Sequence, residues 1–388
     1  MTAMEHVRYL AKTIGPRGSA TKNEELAARY AADVLRHQGL APTVETFTAA
    51  RSAWYPSALF CALVLVGEVL FWLGGRWGAL AGLALGALAI AATLLELAFR
   101  PNPLRWLLPK GQSRNVWARL EPQGEARAQV VLVAHLDTHR TPLVFSAPGW
   151  VRLFKALVPA GLGCAVGLLV LFALGAAAPA ALWRWLSLPP ALVVTGLLVL
   201  TLQADLTPYT EGANDNASGV GVVLSLAAKL KAAPLARTAV WVVLSGAEEV
   251  GDYGADAFAA AHRAELGDAA WVTVDNVAGQ GVGVAYLTQE RFLLTVESDR
   301  GLMDVAQRIG ERQPDLDVYP SAMAGAYTDS TAGAKHGLRV LTLVGHRRDG
   351  SLPNWHQVSD VLENVDPATV ERYEAFLWEL LQEIDIQA

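Results

Sequence analysis

Sulfur and basic charge are both scarce in this chain of 388 residues. Its two cysteines, Cys61 and Cys164, lie within long apolar runs. They provide neither a disulfide framework nor a cysteine-built zinc site, and they do not report the redox compartment. The formal net charge is −6, and no stripe of Lys and Arg stands ready to neutralise phosphates, which argues against nucleic acid as a partner. The opening stretch MTAMEHVRYLAKTIGPRGS contains no uninterrupted apolar core, so no cleavable signal peptide is expected. No segment recurs at a fixed period. Charged residues make up 18% of the chain against 53% hydrophobic, more apolar than an ordinary soluble domain.

That apolar excess is concentrated in two blocks, Trp54–Phe99 and Leu157–Leu206. In the first, Ser57–Gly75 carries one charge, Glu68, and Trp77–Leu95 carries none. Each is long enough to cross roughly 30 Å of hydrocarbon at about 1.5 Å per residue. Gly74-Gly75-Arg76 joins them as a tight turn. The second block repeats the plan, with Leu157–Leu182 going out, Trp183-Arg184-Trp185 as the expected turn and Leu186–Leu202 returning. Trp54, Tyr55, Trp72, Trp77, Trp150, Trp183 and Trp185 fall near the predicted ends, as an interfacial aromatic belt requires. Gly78, Gly82 and Gly86 recur every fourth residue, as do Gly163 and Gly167, which predicts close helix approach at both. Four transmembrane helices follow, with Glu68 set either for function or for a partner inside the bundle. Arg51, Arg100, Arg105, Lys110, Arg114, Arg152 and Lys155 flank the blocks on the soluble side, whereas each tip holds one Arg. The positive-inside rule therefore places the soluble portion in the cytoplasm.

Residues 1–51, 101–149 and 207–388 then form a single soluble domain interrupted by hairpins at 52–100 and 150–206. Met4–Gly15 and Asn23–Gly39 read as helices, followed by strands at Val44–Phe47, Asn115–Leu120 and Val130–Ala134. A helix at Ser218–Lys231, a strand at Ala239–Leu244 and a helix at Gly254–Ala264 come next. Trp271–Val274, Val282–Leu287 and Val340–Val344 read as strands, Met303–Glu311 and Pro367–Ile384 as helices. This alternation predicts an α/β fold with a mixed, mainly parallel central sheet between helices.

Such sheets place their sites at the carboxyl ends of buried strands. Val130–Ala134 runs into His135-Leu136-Asp137, where a His can ligate a metal and a carboxylate can hold its other nitrogen. Gly212–Gly219 is a small-residue loop around Asp215; one carboxylate there suits a ligand shared by two ions, although an ordinary helix cap fits equally. Adjacent Glu248 and Glu249 follow Ala239–Leu244. Like charges repel, so the pair invites a division of labour, one binding a cation and one moving a proton. Asp275 follows Trp271–Val274, and His356 lies in Asn354-Trp355-His356-Gln357. Two ions about 3.5 Å apart need a bridging carboxylate and two terminal ligands each; five residues meet that count, and one Glu remains as base. The donor set is nitrogen and oxygen without sulfur, which zinc accepts.

The stretches VVLVAHLDT, GANDNASGVGVVLSLA, WVVLSGAEEVGDYGADAF, VTVDNVAG, YTDSTAGAKHG and NWHQVSDVLENVD resemble the M28 zinc peptidases, as do HVRYLAKTIGPRGS and the helix end RHQGL. The resemblance covers almost all of the soluble sequence, in order. It implies co-catalytic aminopeptidase chemistry with two zinc ions per chain. His135 and Asp275 would bind one ion, Glu249 and His356 the other, and Asp215 would bridge them. Glu248 would serve as general base and then acid, and Asp137 would orient His135. Many relatives carry Tyr before the last ligand where Trp355 stands here, which makes Tyr327 a candidate substrate-binding replacement. Carboxypeptidase, single-zinc glutaminyl cyclase and inactive membrane receptor or scaffold are the competing readings. His6, His37 and His262 read as surface residues, while His139 and His346 are candidates for the pocket wall. The second hairpin leaves shortly after Asp137 and re-enters shortly before Glu211, so the expected substrate is a peptide, apolar or membrane-associated, reached from the lipid bilayer.

Overall fold

The computed structural model describes residues 1–98, 100 and 102–388. Phe99, where the first apolar block ends, and Pro101 lie outside the described residues. The chain divides into two compact units: Met1–Arg51, Lys110–Arg140 and Tyr209–Ala388 form one, Ser52–Pro109 and Thr141–Pro208 the other. Residues 102–109 and 141–149, expected in the soluble domain, thus fall in the second unit. Phe145 sits against Trp54 and Phe154, and Arg105 donates to Glu96 at 2.7 Å, which ties the two segments to that unit.

In chain order the elements are α1 (Ala3–Arg8), α2 (Lys22–His37), β1 (Thr43–Ala50), α3 (Tyr55–Leu73), α4 (Gly75–Leu97), β2 (Lys110–Leu120), β3 (Ala128–His135), α5 (Pro148–Ala177), α6 (Ala181–Leu206) and α7 (Ala217–Ala232). They continue with β4 (Thr238–Ser245), α8 (Tyr253–Leu266), β5 (Ala270–Asp275), β6 (Val284–Arg291), β7 (Thr295–Glu297) and α9 (Arg300–Arg312). Last come β8 (Val318–Ala324), α10 (Ser330–Lys335), β9 (Arg339–Val344) and α11 (Pro367–Gln387). The helix expected over Met4–Gly15 begins as α1 and continues in a wider π-helical turn, Tyr9–Ile14, before Gly15.

The first unit is built on one sheet in the order β1-β2-β4-β3-β5-β9-β6-β7, with β8 beside β6. Parallel pairing fills the centre, β4-β3-β5-β9, while β1, β2 and β7 pair antiparallel. The sheet is therefore mixed, with its parallel part where strands are buried on both faces. Side chains alternate between the two faces. Val131, Val133, Trp241 and Val243 pack with Phe258 of α8 on one side. Leu132, Ala134, Val240, Val242 and Leu244 pack with Val220, Val223 and Leu224 of α7 and Leu377 of α11 on the other. The short elements β7, β8 and α10 carried too little periodicity to be read from the sequence.

Among the described residues, the second unit contains four helices long and apolar enough to cross a membrane by length and composition. Val66, Val69, Leu88, Val170, Leu192 and Val199 stand exposed along them. The first turn falls at Gly74, as the sequence predicts. The second falls at residues 178–180, not at Trp183-Arg184-Trp185, which lies inside the first turns of α6. Pro179 explains the shift, because it lacks an N–H and disfavours helix in the residue before it. Close backbone approach is found at the first glycine series: a Cβ on Gly82 would meet the Gly67 carbonyl oxygen at 2.7 Å. Gly163 and Gly167 face open space, contrary to expectation. Glu68 is buried and accepts hydrogen bonds from Trp72 Nε1 at 2.7 Å and Ser187 Oγ at 2.5 Å, so its partners lie inside the bundle.

Candidate metal centre

The parallel strands deliver their carboxyl ends to one edge. His135 of β3 stands opposite Ser245 at the end of β4, and β5 ends beside it in Asp275. Glu248 and Glu249 follow β4, Asp215 precedes α7, and His356 lies beyond β9. The peptide bond after Asp215 is cis.

His135 Nε2 lies 3.2 Å from Asp215 Oδ1 and 3.4 Å from Asp275 Oδ1. His356 Nε2 lies 3.4 Å from Asp215 Oδ2 and 3.3 Å from Glu249 Oε2. The two oxygens of Asp215 thus face different histidines. Zinc bonds of about 2.0–2.1 Å in tetrahedral geometry put neighbouring ligand atoms about 3.3–3.4 Å apart, so these separations suit the edges of two coordination shells. Asp215 Oδ2 and Glu249 Oε1 are buried without a hydrogen-bond partner, as carboxylate oxygens awaiting a cation are. These residues fit two zinc ions. Glu248 Oε2 stands farther off, 3.9 Å from His135 Nε2.

His139 also brings a ring nitrogen into reach of Glu249 and His356. Its ring stacks on His356 with centroids 3.6 Å apart and planes 13° from parallel. An imidazole lone pair lies in the ring plane, and two parallel planes that far apart do not share an ion. His139 is therefore a wall that fixes the His356 ring.

Burial opposes charge on both histidines, but neighbouring carboxylates prevail. Glu248 and bonds to Asp137, Asp215 and Asp275 raise His135 well above its usual range, and Glu249 and Asp215 raise His356 to about 9. Burial, reinforced by Asp215, pushes Glu249 up to about 8. Burial also raises Glu248, against the opposing charge of His135 and together with Asp252 and Glu249. Asp215 goes the other way, since its two histidine partners outweigh burial.

Asp137 does more than the sequence foresaw. Its backbone carbonyl faces His135 Nδ1 at 3.2 Å, while its Oδ1 lies 3.6 Å from that nitrogen. The carboxylate instead accepts the backbone N–H groups of Glu248 and Glu249 at 3.1 and 3.2 Å. Further supports went unread. Glu24 accepts from the Ala247 N–H at 2.8 Å, and Asp360 accepts from Asn214 and Asp215 N–H at 2.7 and 3.1 Å. Asp360 lies within NWHQVSDVLENVD, but nothing in that string shows which loop it holds. Tyr327 directs its hydroxyl to the backbone of Leu294, donating to the carbonyl at 2.7 Å and accepting from the N–H at 2.9 Å. His346 hydrogen-bonds Ser321 Oγ at 2.8 Å. His6 and His262 are not surface residues: His6 is buried against Tyr30, and His262 is lodged among Trp117, Trp241 and Phe258.

The sequence model of Peptidase family M28 matches residues 196–381, which include Asp215, Glu248, Glu249, Asp275 and His356. Over this segment the chain is similar to Peptidase family M28. Similar solved structures include a leucine aminopeptidase precursor from Bacteroides thetaiotaomicron VPI-5482, 13% identical with a TM-score of 0.58, covering 98% of this chain and 96% of that one. BSAP, a zinc aminopeptidase from Bacillus subtilis, is also 13% identical at 0.58, covering 98% and 94%. The glutaminyl cyclase of Tannerella forsythia is 14% identical at 0.56, covering 98% and 97%. At such identities the likeness is one of fold. No curated protein matches the chain.

Proposed function

We propose that this chain is a membrane-anchored, two-zinc aminopeptidase. The observation that carries the reading is the split of Asp215, one oxygen toward His135 and Asp275, the other toward His356 and Glu249. His135 and Asp275 would hold one ion, His356 and Glu249 the other, with Asp215 between them. The ions would supply Lewis acidity, making a water more acidic and offsetting charge on the scissile carbonyl oxygen.

Within that centre the chain's own residues divide the proton work. Glu248 has a raised pKa and lies beside the first donor group without joining it as closely as Asp215 or Asp275 does. It takes the proton of the attacking water on its carboxylate and returns it to the leaving amine, as general base and then acid. Asp137 keeps Glu248 at that place through its backbone N–H. His139 and Trp355, whose ring centroid lies 4.2 Å from that of His356, restrict the ring of that ligand and narrow its access to water.

The four apolar helices anchor the enzyme in the bilayer. The excess of Lys and Arg on the soluble side favours a cytoplasmic peptidase unit. The chain enters the second helical hairpin's unit at Thr141, four residues past Asp137, and leaves it at Pro208, seven before Asp215. This connectivity favours apolar or membrane-associated peptides as substrates. Zinc content of the purified chain and hydrolysis of aminoacyl-nitroanilides test the reading together. Two ions and release of nitroaniline are expected; one ion with cyclisation of N-terminal glutamine would instead fit a glutaminyl cyclase.

A further inference from the structure

Arg17 is the largest charged side chain buried in the first unit, with 1% of its surface exposed. Its guanidinium is spent wholly on main-chain carbonyls. Nε donates to Leu136 at 2.9 Å, and Nη2 donates to Gly212 at 2.9 Å. Nη1 donates to Glu211 at 2.7 Å, Gly15 at 3.1 Å and Leu10 at 3.2 Å. Leu136 lies between His135 and Asp137, and Gly212 lies three residues before Asp215. One rigid plane therefore ties the loop of the first ligand to the loop of the bridging carboxylate.

The residues beside Arg17 extend the grip. The Arg17 N–H donates to Thr138 Oγ1 at 3.0 Å, and Ser19 Oγ donates to Asp137 Oδ2 at 2.5 Å. Asp137 in turn holds the N–H groups of Glu248 and Glu249. The loops pass too closely for slack: Gly212 has φ of 60°, and a Cβ there would lie 2.1 Å from Thr138 Cγ2 and 2.9 Å from Arg17 Nη2. A buried cation is costly unless its charge is matched. The negative groups around Arg17 are Asp360, Asp137, Asp215 and Glu249, two of them candidate ligands.

We propose that Arg17 and Ser19 form a positioning clamp for the metal centre, fixing the separation of the His135 and Asp215 loops so that both donor groups are set before zinc arrives. The clamp rests on the two-zinc reading above. Lysine cannot replace the arginine, because an ammonium has three donors on a flexible stem where the guanidinium has five in a fixed plane.

The test uses the full chain in detergent micelles, with zinc as the probe. Zinc affinity is measured by competition with a chromophoric chelator for wild type, Arg17→Lys and Ser19→Ala, with far-ultraviolet circular dichroism as the check of folding. Residues that orient ligands without touching the ion typically alter metal affinity 10–100-fold. Arg17→Lys should retain the wild-type spectrum and bind zinc at least about 10-fold more weakly, with excess zinc restoring the full stoichiometry. A folded Arg17→Lys chain with wild-type zinc affinity overturns the clamp. Should Arg17→Lys not fold, Ser19→Ala decides: weakened zinc binding supports the clamp, and unchanged binding overturns it. A wild-type chain that binds two zinc ions yet cleaves no aminoacyl substrate overturns the peptidase reading alone, since the competition measurement does not depend on turnover.

Discussion

Asp137 Oδ1 accepts the backbone N–H of Glu248 at 3.1 Å. The carboxylate next to His135 thus holds the residue proposed above to move the proton. In Asp137→Asn one of the two oxygens becomes an amide donor facing another donor, so an N–H of Glu248, Glu249 or both loses its acceptor. At saturating zinc, turnover should fall about 10–100-fold. Steady-state kinetics beside elemental analysis separates this from ligand loss; a fall in zinc that accounts for all lost activity contradicts it.

Glu248 and Glu249 should fail differently. Glu248→Gln keeps both donor groups and should retain zinc while losing about 10²–10⁴-fold in rate, the usual worth of general acid–base catalysis. Glu249→Gln removes a partner of His356 and should lose zinc first. Elemental analysis of the two variants reads the difference, and equal metal loss would refute the division.

His6 gives a pH signature away from the centre. Burial lowers its pKa from 6.5 to about 4, so the unfolded chain binds its proton more readily than the folded chain. The stability this lends is complete above pH 6.5 and is lost as pH falls toward 4, on the order of 3 kcal/mol over that window. His6→Asn, which keeps an acceptor for Tyr30, should flatten that part of the profile. Thermal melts of wild type and variant between pH 7 and 4 provide the check; parallel profiles would contradict it.

The helix turns at Gly75 and Ala180 should lie on the face of the membrane opposite the peptidase unit. Single cysteines placed there, in a chain lacking Cys61 and Cys164, should react with an impermeant maleimide added from outside intact cells. Labelling of a cysteine on the peptidase unit from that side would reverse the orientation.

Most of the parallel core was legible because its strands are continuous apolar runs ending in polar residues, as Val130–Ala134 ends in His135. The ends of β3 and β5 supply His135 and Asp275, two of the candidates that the structure brings together. What escaped was cooperation across distance. Ser19 and Asp137 are 118 residues apart, and Glu24 and Ala247 are 223 apart, so no local pattern announces their contacts. The second helix turn differs for a local reason: Trp183-Arg184-Trp185 suggests an interfacial turn, whereas Pro179 supplies the break. Asp137 was given its role toward His135 because spacing shows a neighbour in the chain but not the backbone amides that fold beside it.

In the proposed centre both halves depend on Asp215, and metal content reads that dependence most directly. Zinc per chain is measured by elemental analysis after loading and removal of excess, for wild type and for Asp215→Ala. Two ions in the wild type and near-complete loss of both in the variant are expected. A wild type saturating at one ion, or a variant that still holds two, would contradict a zinc pair bridged by this carboxylate.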